Sequence, residues 1–268
     1  MAGTGTITQT QISTVHTFFN IATTVLLFPV SNWIIKLAKK IGGVKEDEAD
    51  RSKVLLDERM LETPSIALQS VINETIRMGE IVRESLNVAR NVLHTKSEED
   101  IKLLKEDEDI VDRLCAGITD YTIKLSALQI SEREHQTTAH LLQVLSDIER
   151  VSDYCENISE FAETMIEKKL DFSDVANEQL DKMIASTVDS YNYALDAFRE
   201  ESTEKALKVI EKETQVDDLE ITLRSRHMKR LAKNECNTEA GVVFLDTLVC
   251  VERISDHARN IAEEVLGN

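Results

Sequence analysis

The 268-residue chain sets 49 acidic residues against 31 basic ones, for a formal net charge of −18. That balance excludes nucleic-acid binding through a broad basic surface and favours cations or basic partners. With 4 % aromatics, 8 glycines and 2 prolines, the composition excludes a β-sandwich or a Rossmann sheet and predicts an all-α chain.

Residues 1–14 are polar and carry no fold signal. From Val15 to Ile35 no side chain is acidic or basic apart from His16, a length that crosses a hydrocarbon core of about 30 Å. Trp33 sits near its end, and Lys36, Lys39 and Lys40 follow. This pattern predicts a single transmembrane helix within residues 1–41, its C-terminal side in the cytoplasm. His16, Asn20, Pro29 and Asn32 are costly against lipid, so the span is expected to face other helices. A buried soluble helix is the alternative. Residues 42–63 read as a linker, charged from Gly42 to Asp50.

The remainder is helical by period. Thr63 before Pro64 marks a helix start, and apolar residues recur at helical spacing from Ile66 to Leu93. Ser97 with Asp100 opens a second helix, and Ser131 a third. The third carries a heptad stripe through Leu141, Val144, Ile148, Val151, Cys155, Ile158 and Ala162. The scheme then restarts, with helices opened by Ser173, by Ser202 or Thr203, and by Asn237–Thr238. The expected architecture is two tandem three-helix bundles, residues 64–169 and 170–268, with a hinge near 169–174. Cys115, Cys155, Cys236 and Cys250 form no C-x-x-C and read as core fillers in a reducing compartment.

The chemistry-bearing feature is E-x-x-x-D in two matched pairs. Glu108/Asp112 and Glu149/Asp153 lie in the first half, Glu213/Asp217 and Glu252/Asp256 in the second. Residues four apart share a helix face, so each motif sets two carboxylates side by side. Asn157 and Asn260 extend the last motif of each half by one more turn. Antiparallel packing within each bundle would join its two motifs into an all-oxygen site suited to magnesium, manganese or calcium, and to iron or zinc with further ligands. The competing reading is a set of solvated faces tied by salt bridges, as Arg150 and Arg253 permit. Glu132 and His135 form one E-x-x-H where a di-iron bundle needs two, and no nucleophilic triad is discernible. The chain is therefore read as a non-enzyme.

These motifs carry a resemblance. The runs D-I-E-R-V-S-D at 147–153 and V-E-R-I-S-D-H-A-x-N-I at 251–261 are similar to the PhoU family of phosphate-signalling proteins, over roughly residues 64–266. The resemblance implies multinuclear iron or zinc on Glu108, Asp112, Glu149, Asp153, Glu213, Asp217, Glu252 and Asp256, with Asn157 and Asn260 as weaker ligands. V-H-T-F-F-N-I at 15–21 and L-D-E-R-M-L-E-T-P-S-I-A-L at 56–68 resemble the junction in bacterial sodium/phosphate cotransporters. There the last membrane helix continues into a cytoplasmic PhoU-like domain. The resemblance implies the C-terminal part of such a transporter: a regulatory module in the inner membrane, docked on transport-domain helices, with homo-oligomers open and no nucleic acid bound. Rival expectations are a metal-free adaptor for a basic partner and a di-metal bundle enzyme.

Overall fold

The computed structural model describes Phe19 and residues 51–233 and 236–267. The chain divides into two compact units, Met1–Arg51 and Ser52–Asn268. No helix among the described residues is long and apolar enough to cross a membrane. The span expected at 15–35 lies outside the described residues, Phe19 excepted.

The second unit is all-α among the described residues. A short 3₁₀ turn at Glu58–Glu62 precedes six helices: α1 (Pro64–Thr95), α2 (Glu98–Ser126), α3 (Glu132–Glu167), α4 (Asp174–Glu200), α5 (Thr203–Ala232) and α6 (Thr238–Leu266). Local chemistry sets their ends. Ser97, Ser131, Ser173, Ser202 and Asn237 each accept a first-turn backbone N–H, and Ser131 with Glu134 completes a reciprocal capping box. The duplication extends to the caps. Lys96 ends α1 and Glu201 ends α4, both left-handed at φ 49° and 50°, and each is followed by the serine that starts the next helix.

Helices α1, α2 and α3 pack on one another, as do α4, α5 and α6. The two bundles then join through α3 against α6 and α1 against α4, over one continuous apolar core. Both joints run antiparallel. Along α1 and α4, His94 meets Asp181 at 2.6 Å, Arg83 meets Asp196 at 2.7 Å, and Arg199 pairs with Glu80. Tyr191, fully buried, donates its hydroxyl to the Gly79 carbonyl at 3.0 Å. Gly79 lets the helices approach without displacing a side chain, because a Cβ there would lie 2.5 Å from Leu195 Cδ1. Along α3 and α6, buried Asp147 takes His257 at 2.8 Å and Asn260 at 3.0 Å, while the His257 ring lies 5.9 Å from that of Tyr154. Tyr154 and His257 hold equivalent places in the two repeats, so the pseudo-symmetric halves meet here. The loop between α3 and α4, where the sequence places a hinge near 169–174, joins two bundles that share a core.

Part of the expected linker is structure. Val54, Leu56, Met60 and Leu61 pack against the core beside the first bundle. Arg77 donates to the Lys53 carbonyl at 2.8 Å, Leu55 N–H donates to Glu74 at 3.3 Å, and Tyr121 donates to the Asp57 carbonyl at 3.0 Å. This strap seals the end of the first bundle where α2 finishes. Of the cysteines, Cys155 and Cys250 are buried in the core and Cys115 and Cys236 are half-buried; all four are free thiols.

Candidate metal centres

Each bundle gathers three of its four motif acids. On the first, Glu108 and Asp112 from α2 meet Asp153 from α3. On the second, Glu213 and Asp217 from α5 meet Asp256 from α6. In each triad one carboxylate oxygen per residue lies within 4.8 Å of the others. The helical period explains the geometry: the acids flank the apolar stripe, so core packing of α2 on α3 and α5 on α6 turns both flanks toward the same seam.

Glu149 and Glu252 stand outside the triads. Each is followed by an arginine, Arg150 or Arg253, which reaches its neighbour glutamate at 3.5 Å and the triad aspartate at 2.9 Å (Arg150–Asp153) or 3.2 Å (Arg253–Asp256). Asn260 donates its amide N–H₂ to Asp147 in the α3–α6 joint at 3.0 Å. Glu132 and His135 are exposed at the start of α3.

The triads are electrostatically loaded. Burial pushes the Glu108 carboxyl up to about 7, helped by the negative charges of Asp112, Glu156, Asp109 and Asp153. Burial likewise raises Glu149, Asp153, Asp217, Glu252 and Asp256, with neighbouring acids adding to the shift. Carboxyls raised in the fold bind more protons folded than unfolded, so stability is highest at low pH and falls as pH rises through the folded value. For Glu108 the window runs from 4.5 to about 7. In chelator, the chain is expected to melt lower at pH 8 than at pH 5.5. Glu108→Gln should recover about 1 kcal/mol at pH 8, given solvent screening of a half-buried group. Equal melting at both pH values in native chain and variant would contradict this electrostatic account.

The donors fit a metal ion. They are hard oxygens, burial holds Glu108, Asp153, Asp217 and Asp256 above their ordinary values, and the buried Asp217 Oδ1 has no hydrogen-bond partner. The two centres differ in one respect that the motifs conceal. In E-R-[VI]-S-D-x-x-x-N-I, the last variable position is Glu156 in the first repeat and Arg259 in the second. Arg259 donates to Glu213 at 2.8 Å and to Glu263 at 2.8 Å. Glu213 is 4 % exposed. Glu156 instead adds negative charge beside Glu108. Sequence reasoning about the acids alone passed over Arg259, although its position was visible in the repeat.

Comparison with known proteins follows this duplication. A family model described as the PhoU domain matches residues 75–162 and again 180–265. The phosphate-specific transport system accessory protein PhoU homolog 1 of Thermotoga maritima is 28 % identical over 200 residues, 72 % of this chain and 83 % of that protein. The putative inorganic phosphate export protein YjbB of Salmonella typhimurium is 22 % identical over 257 residues, 94 % of this chain and 47 % of that protein. The chain thus spans about half the length of the export proteins it matches. The crystal structure of PhoU from Pseudomonas aeruginosa superposes with a TM-score of 0.70 at 22 % identity, over 74 % of this chain and 95 % of that one, and shares the fold.

Proposed function

The chain belongs to the PhoU domain family, and from that premise we propose that it is an accessory module regulating phosphate transport through metal ions held at its two acidic centres. The observation that carries the reading is the recurrence of one triad, Glu108/Asp112/Asp153 and Glu213/Asp217/Asp256, at the same seam of both repeats. A metal there supplies positive charge that relieves the repulsion among the acids and ties α2 to α3 and α5 to α6. Iron, zinc, manganese and magnesium are the candidate ions.

The transport partner is read from two features. The export protein relatives align over 94 % of this chain, which takes in most of the first fifty residues, whereas the accessory homologue aligns over 72 %. Those first residues include the apolar run from Val15 to Ile35 followed by lysines. The module is therefore proposed to sit at the inner membrane with its helical unit in the cytoplasm, beside the helices of a sodium-dependent phosphate transporter. It acts by binding rather than by catalysis. Radiolabelled phosphate flux tests this in cells carrying or lacking the chain. Loss of the chain is expected to change net phosphate flux, and Asp112→Asn with Asp217→Asn to reproduce much of that change. Flux indifferent to the chain would overturn the proposal.

A further inference from the structure

The end of the second bundle differs from the end of the first. A cavity of about 260 Å³ opens there between the N-terminal ends of α4 and α6 and the last turns of α5. Its walls include Ser173, His227, Arg230, Asn237 and Gly241. The last turns of α5 run R-S-R-H-M-K-R-L-A-K from Arg224 to Lys233, with five basic residues and no acid in a chain of net charge −18. Arg230 has no carboxylate partner among the described residues. Its guanidinium meets Gln179 Oε1 at 3.5 Å and His227 Nδ1 at 3.3 Å.

His227 supplies the independent sign of a ligand. It is 4 % exposed, stacked on Phe244 at 4.7 Å, and its Nε2 has no hydrogen-bond partner. A guanidinium only donates, so Nδ1 is the acceptor and the ring proton of the neutral imidazole lies on Nε2. That donor faces Gly241 on the cavity wall, where a Cβ would come within 2.8 Å of it. Three more groups point to an anion. Asn237 caps α6 through Oδ1, which leaves its amide N–H₂ free to donate. The Ser173 hydroxyl accepts from Ala176 N–H and keeps its own proton to give. The N-terminal ends of α4 and α6 add the positive poles of their dipoles, two against the one negative pole at the end of α5. Among the described residues the one carboxylate on the wall, Asp171, is held by Lys96.

The first bundle differs at the equivalent place. At the positions of His227 and Arg230, 105 residues earlier, stand Thr122 and Leu125, both fully buried. The strap at residues 53–62 seals that end. The polar cavity is therefore no by-product of the duplicated fold.

We propose that this cavity is an oxyanion site for inorganic phosphate, held by Arg230, His227, Asn237 and Ser173. Its volume lies below the roughly 300–1,000 Å³ of pockets that bury drug-sized ligands, which favours the free ion over a phosphate carried by a nucleotide. The site stands apart from the carboxylate triads, so it is separable from them by experiment. The full chain in detergent, kept in chelator throughout, is titrated with inorganic phosphate by calorimetry, and separately with sulfate and with AMP.

One saturable phosphate site per chain is expected. Arg230→Gln should weaken it at least tenfold and Gly241→Ala severalfold, with helical circular dichroism unchanged. Arg226→Gln, on the exposed face of the same turn, should shift it less than twofold. AMP binding more tightly than phosphate would assign the same donors to a phosphoryl group of a nucleotide. No saturable binding at millimolar phosphate would overturn the proposal. So would equal losses in Arg226→Gln and Arg230→Gln, which would reveal only diffuse attraction. Because chelator is present, neither result bears on the metal centres.

Discussion

Purified with its carboxylates intact and reloaded with iron, zinc, manganese or magnesium, the chain is expected to hold at least one ion per triad, hence at least two in all. Asp153→Asn with Asp256→Asn should lower the affinity of both centres roughly 100-fold or more, because each change removes a charged ligand from a three-carboxylate set. The same variant should fold as well as the native chain, or better in chelator. Burial and neighbouring acids hold both aspartates above the ordinary carboxylate range, and an amide relieves that strain. Elemental analysis of dialysed protein measures the stoichiometry, and thermal melting with and without metal measures the coupling. Native chain that stays metal-free after reloading would leave the acid seams as docking faces for a basic partner, tied by Arg150 and Arg253 in the free protein. Salt-sensitive partner binding in chelator would then be the finding to pursue.

What the sequence made legible was whatever repeats along a helix. Six helices follow from a 3.6-residue period and from capping residues such as Ser97 and Ser131, because both signals are local. The pairing of α2 with α3 acids was legible for a related reason: E-x-x-x-D flanks the apolar stripe in both, and packed stripes bring their flanks together. The joint between the bundles was not. An apolar stripe says which side of α3 is covered, not that α6 covers part of it in antiparallel register. Asp147, in the motif D-I-E-R, therefore gave no sign that it would be buried against His257 and Asn260. Asn260 shares the face of the motif acids by spacing, yet the register of that joint gives it another partner. The strap failed for the opposite reason. Its apolar residues Val54, Leu56, Met60 and Leu61 lie in a stretch too short for a periodic signal, and only the open end of the first bundle gives them a place to dock.

The two metal centres are expected to bind unequally, and Arg259 is the reason. It donates to Glu213, a carboxylate of the second triad, at 2.8 Å, while the equivalent Glu156 adds a negative charge beside the first. A cation entering the second centre must displace or tolerate a guanidinium bonded to one of its donors. Titration of the metal-free chain should therefore show two steps, the first site filling at least tenfold more tightly. Arg259→Gln is expected to bring the second step toward the first, and Glu156→Gln to weaken the first without touching the second. The arginine variant carries a further signature. Glu213 is buried, so removing its partner should destabilise the metal-free chain by about 2 kcal/mol. Metal should restore more melting temperature to that variant than to the native chain, since the ion replaces the lost positive charge. Two equal steps in the native chain, unchanged by Arg259→Gln, would mean that this guanidinium swings clear of the donors at no cost and that the repeats are equivalent as ligands.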